Sequence, residues 1–235
     1  MVDSLFLAMT AQELANTAPL PPQVAWLSCH LDPEGTGLSG LPSHLPRGSM
    51  VLLDDSILPK GHDIRQIHHQ LRQMIEALAP SALLLDFQRP RDPFLADLAR
   101  KLDTLPCPVA VTPPYIPDTK APVFLPPVPP HRHPKDHLAP WAARPIYLEL
   151  ALDASVLTVT KTGCQSQSLP WPKDTDYPHR EEALCCHYRI DQDPEQIRFT
   201  LARTPGDLPD LLSSLQRLEV TALVGLHQEL WDALA

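Results

Sequence analysis

The chain has 235 residues, enough to bury a large core without metal or disulfide support and short enough to be read as one α/β domain. Its 28 acidic and 19 basic residues leave a formal net charge of −9, which excludes the electrostatic footprint of a nucleic-acid or anionic-membrane binder. The five cysteines are odd in number and in no C-x-x-C spacing, which argues against a disulfide framework and for reduced, buried thiols.

Residues 1–22 read as a lead-in: a short helix AQELAN capped by Thr10, then a proline-rich stretch. Asp3 and the brief apolar stretch 5–9 do not make the basic start and long core of a signal peptide. No later run approaches the roughly 18 apolar residues of a membrane span, so the expectation is a cytoplasmic protein without a membrane partner. The ordered domain is expected from Gln23 to the end, residues 23–235.

From there, seven apolar runs of strand length recur: VAWLSCHL (24–31), SMVLLDDS (49–56), ALLLDFQ (82–88), PVAVTPP (108–114), PVFLPPV (122–128), PIYLELAL (145–152) and TALVGLHQ (221–228). Continuous rather than alternating hydrophobicity marks strands buried on both faces, as in a parallel sheet. Helical patterns lie between several of them. Ile64, Ile67, Leu71, Met74, Ile75 and Leu78 form one stripe, and Phe94, Leu95, Leu98 and Leu102 form another behind an Asp92 cap and a Pro93 start. The pattern at 133–144 is interrupted by Pro140, and 206–220 carries the last helix. Residues 153–204 break the rhythm with two hairpins, one around Gly163 and one around 191–194, and read as a β-rich insertion before the last helix and strand. The 29 prolines, against about 12 in an average chain of this length, stand at the ends of apolar runs and stiffen short connections.

Alternating strands and helices allow an open doubly wound sheet or a closed barrel. Polar residues gather at the C-terminal end of nearly every run, as they do when strand ends surround one mouth. The first run is followed by CHLDPEGTGLSG and LPSHLP, with no dinucleotide-type glycine turn opening a helix. The predicted fold is a TIM-type (β/α) barrel.

The stretch from Asp63 to Pro114 reads as helix, buried strand ending Asp-x-Gln, helix, then a strand ending in prolines. It resembles the third to fifth strand units of family 18 glycoside hydrolases, whose fourth barrel strand carries D-G-x-D-x-D-x-E. PIYLELAL, the β-rich insertion and TALVGLHQEL resemble the same family's seventh strand, inserted subdomain and eighth strand, so the likeness of pattern covers about 170 residues. On that resemblance Leu84 and Asp86 stand at the last two aspartates and Gln88 at the glutamate that serves the family as proton donor. An amide has no tunable acid proton to give a leaving oxygen, so on this alignment the acid is lost. The sixth-strand Tyr-Asp pair of the family finds no match in PVFLPPVPPH. One run, where the family has two, precedes SMVLLDD, which leaves room for seven strands or an irregular closure.

Candidate site residues are those at strand ends. Asp86, Asp54, Glu149 and Glu229 are the catalytic candidates; Gln88, Arg89, Asp55, Tyr115, His30 and Gln228 are the ligand-facing ones. Asp54 and Asp55 are successive, so only one can face the barrel axis. Asp86 and Gln88 share a face by the period of two, and a buried Asp86 needs a partner such as Arg89, for a structural as much as a catalytic purpose. Glu149 shares parity with Tyr147 in an otherwise apolar strand, while Gln228 and Glu229 finish the last run beside His227. His131, His133 and His137 suggest zinc, but Pro134 disfavours a helix at His133 and no third ligand follows, so neither a metal nor a cofactor is assigned. There is no G-x-S-x-G elbow and no phosphate loop. Two readings remain: a glycosidase-like barrel that has lost its acid and binds a carbohydrate or other small ligand, and a hydrolase using Asp86 with another mouth carboxylate.

Overall fold

The computed structural model describes residues 5–34, 37–56, 63–116, 121–169 and 176–234, and the account below concerns those. Its elements are β1 (Leu5–Met9), α1 (Ala11–Asn16), β2 (Val24–Leu31), β3 (Leu38–Ser39), β4 (Met50–Asp54), α2 (Ile64–Leu78), β5 (Ala82–Asp86), α3 (Pro93–Leu102), β6 (Val109–Val111), β7 (Val123–Leu125), α4 (Pro134–Leu138) and β8 (Ile146–Leu150). Then come β9 (Ala154–Thr160), β10 (Gly163–Leu169), β11 (His179–Glu181), β12 (Cys186–Gln192), β13 (Gln196–Ala202), α5 (Leu208–Gln216), β14 (Ala222–Leu226) and α6 (His227–Leu234).

Eight of the described strands form a closed parallel ring in the order β1, β2, β4, β5, β6, β7, β8, β14 and back to β1. The closing strand is β1, which pairs with β14 through Leu5 to Ala8 and with β2 through Leu7 to Met9. This moves the domain's start: residues 5–9, assigned from sequence to the lead-in, belong to the barrel, while residues 1–4 lie outside the described residues. The seven-strand alternative is thereby replaced by eight. A five-residue apolar run has too few positions to show a period, which is why its strand character was hidden in the sequence. The helix expected behind it is present, with Thr10 and Glu13 forming a capping box.

Side chains of one parity fill the ring: Phe6, Ala8, Ala25, Met50, Leu52, Ala82, Leu84, Ala110, Phe124, Tyr147, Ala222 and Val224 pack together as the barrel interior. Small residues face large ones, so the interior is a packed core and not a channel. The other parity meets the helices. Val51, Leu53, Leu83 and Leu85 pack on Ile67, Leu71, Leu95 and Leu98 from α2 and α3, and Leu148, Leu150 and Leu223 pack on Leu208, Leu211, Leu215 and Leu230 from α5 and α6. Phe94, read as inward, is only partly buried at the edge of that layer. The last run also ends earlier than expected: β14 stops at Leu226 and residues 227–234 are helical, with Gly225 giving Leu230 and the Leu150 carbonyl room that a Cβ would take.

The insertion is a five-stranded antiparallel sheet, ordered β10, β9, β13, β12, β11, spanning 154–202 as the sequence pattern implied. Its base is tied to the barrel by Arg203, which is 1% exposed and donates to the carbonyls of Val128, Pro129 and Leu184, with Asp153 at 3.5 Å. Buried Asp207 accepts from Thr204 and from His187, which fastens the sheet to the start of α5.

Because β1 supplies both seams of the ring, deleting residues 1–9 would leave β14 and β2 with unpaired edges. The truncated protein is expected to lose the cooperative thermal transition seen by circular dichroism, whereas a true lead-in could be removed with little change in melting temperature.

Candidate functional site

The inward parity that builds the apolar interior also carries the polar residues of the mouth. Following Met50 and Leu52 on β4, the next inward residue is Asp54; following Ala82 and Leu84 on β5 it is Asp86; following Tyr147 on β8 it is Glu149. Three carboxylates therefore stand on top of a sealed hydrocarbon floor. An open cavity of about 380 Å³ above β4 and β5 is lined by Asp54, Asp55, Ser56, Asp86, Gln88 and Arg89.

Two of these residues shape the loop that follows β5. Asp55 points away from the axis, is 3% exposed, and accepts the backbone N–H groups of Gln88 at 3.1 Å and Arg89 at 3.0 Å. Arg89 answers by donating from Nε to the Asp55 carbonyl and from a terminal nitrogen to the Ser56 carbonyl, both at 2.8 Å. Tyr115, 2% exposed, donates toward the carbonyls of Arg89 and Pro90 and accepts the N–H of Asp92. Asp55 and Tyr115 thus hold the loop from beneath, and Arg89 spends its Nε and one terminal nitrogen on the β4 end rather than on Asp86.

The partner of Asp86 is instead Gln88, whose side-chain nitrogen donates to both carboxylate oxygens at 3.2 Å. Asp54 accepts His30 Nδ1 at 2.6 Å on one oxygen and the N–H and hydroxyl of Ser56 on the other, at 3.0 and 2.6 Å. Glu229 lies on α6 and accepts the N–H of Leu152, which caps the end of β8. Gln228 is exposed on the same helical turn and is not among the residues lining the cavity.

Burial and mutual repulsion govern the charges. Glu149 is pushed up to about 7, chiefly by burial and then by Asp86, Glu229 and Asp153. Asp86 is raised as well, by burial first, with the Gln88 hydrogen bond opposing and Asp54 and Asp55 adding to the rise. Asp153 is pushed up to about 6 by burial, against the pull of Arg203, and burial raises Glu229 against its bond from Leu152. A carboxyl near 7 can give or take a proton at neutral pH, which is the property acid–base chemistry requires. Asp153 and Ser56 were missed in the sequence. The period of two through Tyr147, Glu149 and Ala151 reaches Asp153 and could have found it.

The histidine run is dispersed: His131 bonds Ser155, His133 caps α4, and His137 meets the Pro126 carbonyl. Among the described residues no cluster of three or more His, Cys, Asp or Glu side chains is arranged to hold a metal ion, and no helix is long and apolar enough to cross a membrane.

No protein-family model matches the chain, and no curated protein matches it in sequence. Solved structures do share its architecture. A chitinase from Chromobacterium violaceum ATCC 12472 aligns with a TM-score of 0.54 at 12% identity over 98% of this chain and 97% of that one. The chitinase-like agglutinin of Robinia pseudoacacia aligns at 0.52 and 12% identity, over 94% of each chain. The spore cortex-lytic enzyme SleL of Bacillus cereus aligns at 0.51 and 11% identity, over 94% of this chain and 70% of that one. The fold is therefore a remote family 18-like TIM barrel, as the sequence pattern suggested.

The raised Glu149 gives a signed prediction. Its folded value lies above the ordinary 4.5, so between about 4.5 and 7 the folded state binds more protons than the unfolded one and stability falls as pH rises. Glu149→Gln should leave the urea midpoint near wild type at pH 4 and raise it at pH 8, where the wild-type carboxylate is ionised beside its neighbours. A difference between variant and wild type that is the same at both pH values would show that Glu149 is not held protonated.

Proposed function

We propose that this chain is a glycosidase-like barrel that binds a carbohydrate at its mouth and lacks the proton donor of family 18 enzymes. The observation that carries this reading is Gln88. With β1 counted, β5 is the fourth strand of the ring, the strand on which the family carries its acidic motif, and the position of the family's terminal glutamate is occupied by an amide bonded to Asp86. Leu84, at the position of an earlier motif aspartate, is part of the apolar floor. The neighbours in fold support the ligand class, since one is a chitinase and another a chitinase-like agglutinin. For compartment, the proposal is the cytosol, supported by five free cysteines of which Cys29, Cys185 and Cys186 are buried.

A second reading has its own support. Glu149 holds a proton up to about pH 7 within electrostatic reach of Asp86, so a hydrolase could draw its acid from β8 instead of β5. Calorimetric titration with the N-acetylglucosamine tetramer, paired with product analysis after long incubation, separates the two. Binding that weakens at least tenfold in Asp86→Ala, with no product, is expected. Sugar release abolished by Glu149→Gln would replace the first reading with the second, and the absence of binding and cleavage across a panel of glycans would remove both.

A further inference from the structure

We infer that the His30–Asp54 pair is the mouth's hydrogen-bond acceptor for a hydroxyl of the bound carbohydrate, with His30 Nε2 as the accepting atom; this rests on the carbohydrate-binding reading above. The inference begins with an irregularity in β2. Ala25 and Trp26 pair with Met50 and Val51 of β4, yet the next pairs are Cys29 with Leu53 and His30 with Asp54, so β2 spends one more residue than β4 over the same distance. A bulge of this kind reverses which residues face inward. Before it, Ala25 belongs to the barrel interior and Trp26 to the helix layer; after it, Cys29 and Leu31 belong to the helix layer and His30 is turned to the mouth. Without the extra residue, His30 would point into the hydrophobic outer layer.

The bulge is held in place from several sides. Ser28 Oγ accepts the N–H of Ala11 at 3.1 Å, where α1 begins, and Gly40 lies so close to the Ser28 carbonyl that no side chain fits there. Trp26 Nε1 donates to the Gly40 carbonyl at 2.8 Å, and β3 pairs with β2 at His30 and Leu31. These contacts serve to aim one imidazole.

The aim determines what the ring can do. Asp54 accepts two hydrogens from Ser56 on one oxygen, and an ionised carboxylate only accepts, so the nitrogen facing its other oxygen must carry the hydrogen. That is Nδ1, at 2.6 Å; in the neutral imidazole Nε2 then keeps its lone pair, and it has no bond to any described residue. The side chains are 35% and 25% exposed, and Asp54 lines the cavity that Gln88 and Asp86 share. A ring held by Asp54 with an open acceptor, at a mouth whose cavity also carries the Gln88 amide, suits a ligand rich in hydroxyl groups.

The competing account is a strut that merely joins β2 to β4, and it predicts that only the Nδ1 contact matters. Asparagine reproduces the Nδ1 position and glutamine the Nε2 position. With the N-acetylglucosamine tetramer as probe, His30→Asn is expected to weaken binding at least tenfold and His30→Gln to stay within about threefold of wild type. In long-range nitrogen–proton correlation spectra of the wild type at pH 8, His30 should show the Nδ1–H tautomer, with the Nε2 signal shifting on addition of the probe. Wild-type binding that His30→Asn leaves unchanged, or an Nε2–H tautomer, would overturn the inference while leaving the carbohydrate reading standing. Failure of the wild type to bind the probe would remove both. The tautomer is read on the wild type and does not depend on either variant folding.

Discussion

A sheet that closes on itself has no free edge, and in this ring the last gap is filled by only five residues. Leu5–Met9 bonds to β14 on one side and β2 on the other, so every interior strand finds two neighbours. Closure also fixes the direction in which each strand's side chains point, because the whole ring shares one inside. Phe6 and Ala8 fill part of that inside, and the mouth above is then defined by whichever residue comes next at the inward parity.

That rule explains why acidic groups meet where they do. Asp54, Asp86 and Glu149 are the first inward residues above an apolar floor, half-buried and close enough to influence one another. Desolvation disfavours charge on Asp86 and Glu149, and repulsion from neighbouring carboxylates adds to it. The cluster answers in two ways. Asp86 receives a neutral donor in Gln88, and Asp54 receives His30 and Ser56. Glu149, whose side chain gains no comparable partner among the described residues, takes up a proton instead.

Much of this could be read from residues alone, and the exceptions have physical causes. The long apolar runs at 82–88 and 145–152 mark buried parallel strands, and the period of two puts Asp86 with Gln88 on one face of the first and Glu149 with Tyr147 on one face of the second. The run at 5–9 is not legible as a strand, because strand and helix are indistinguishable over five apolar residues and nothing local reports a pairing with residues more than two hundred positions away. HQEL continues an apolar run and so reads as the end of a strand; the turn into α6 instead has Leu230 packing over Gly225, a contact no pattern records. His30 was named without its partner's geometry, since a bulge is a mismatch between two strands and has no signature in either one.

The amide at position 88 also bears on the charge of its neighbour Asp86. A glutamate there would add a further charge next to Asp86, whose carboxyl is already raised by burial and by two neighbouring aspartates. The amide removes that repulsion and supplies a hydrogen bond that favours the ionised form of Asp86. The mouth is thereby made more tolerant of a fixed, charged Asp86 on β5, and the exchangeable proton lies three strands round the ring on Glu149. On the proposed carbohydrate-binding reading, Asp86 and Gln88 would meet a ligand as a hydrogen-bonded pair, while the group that takes up a proton stands apart from them on β8.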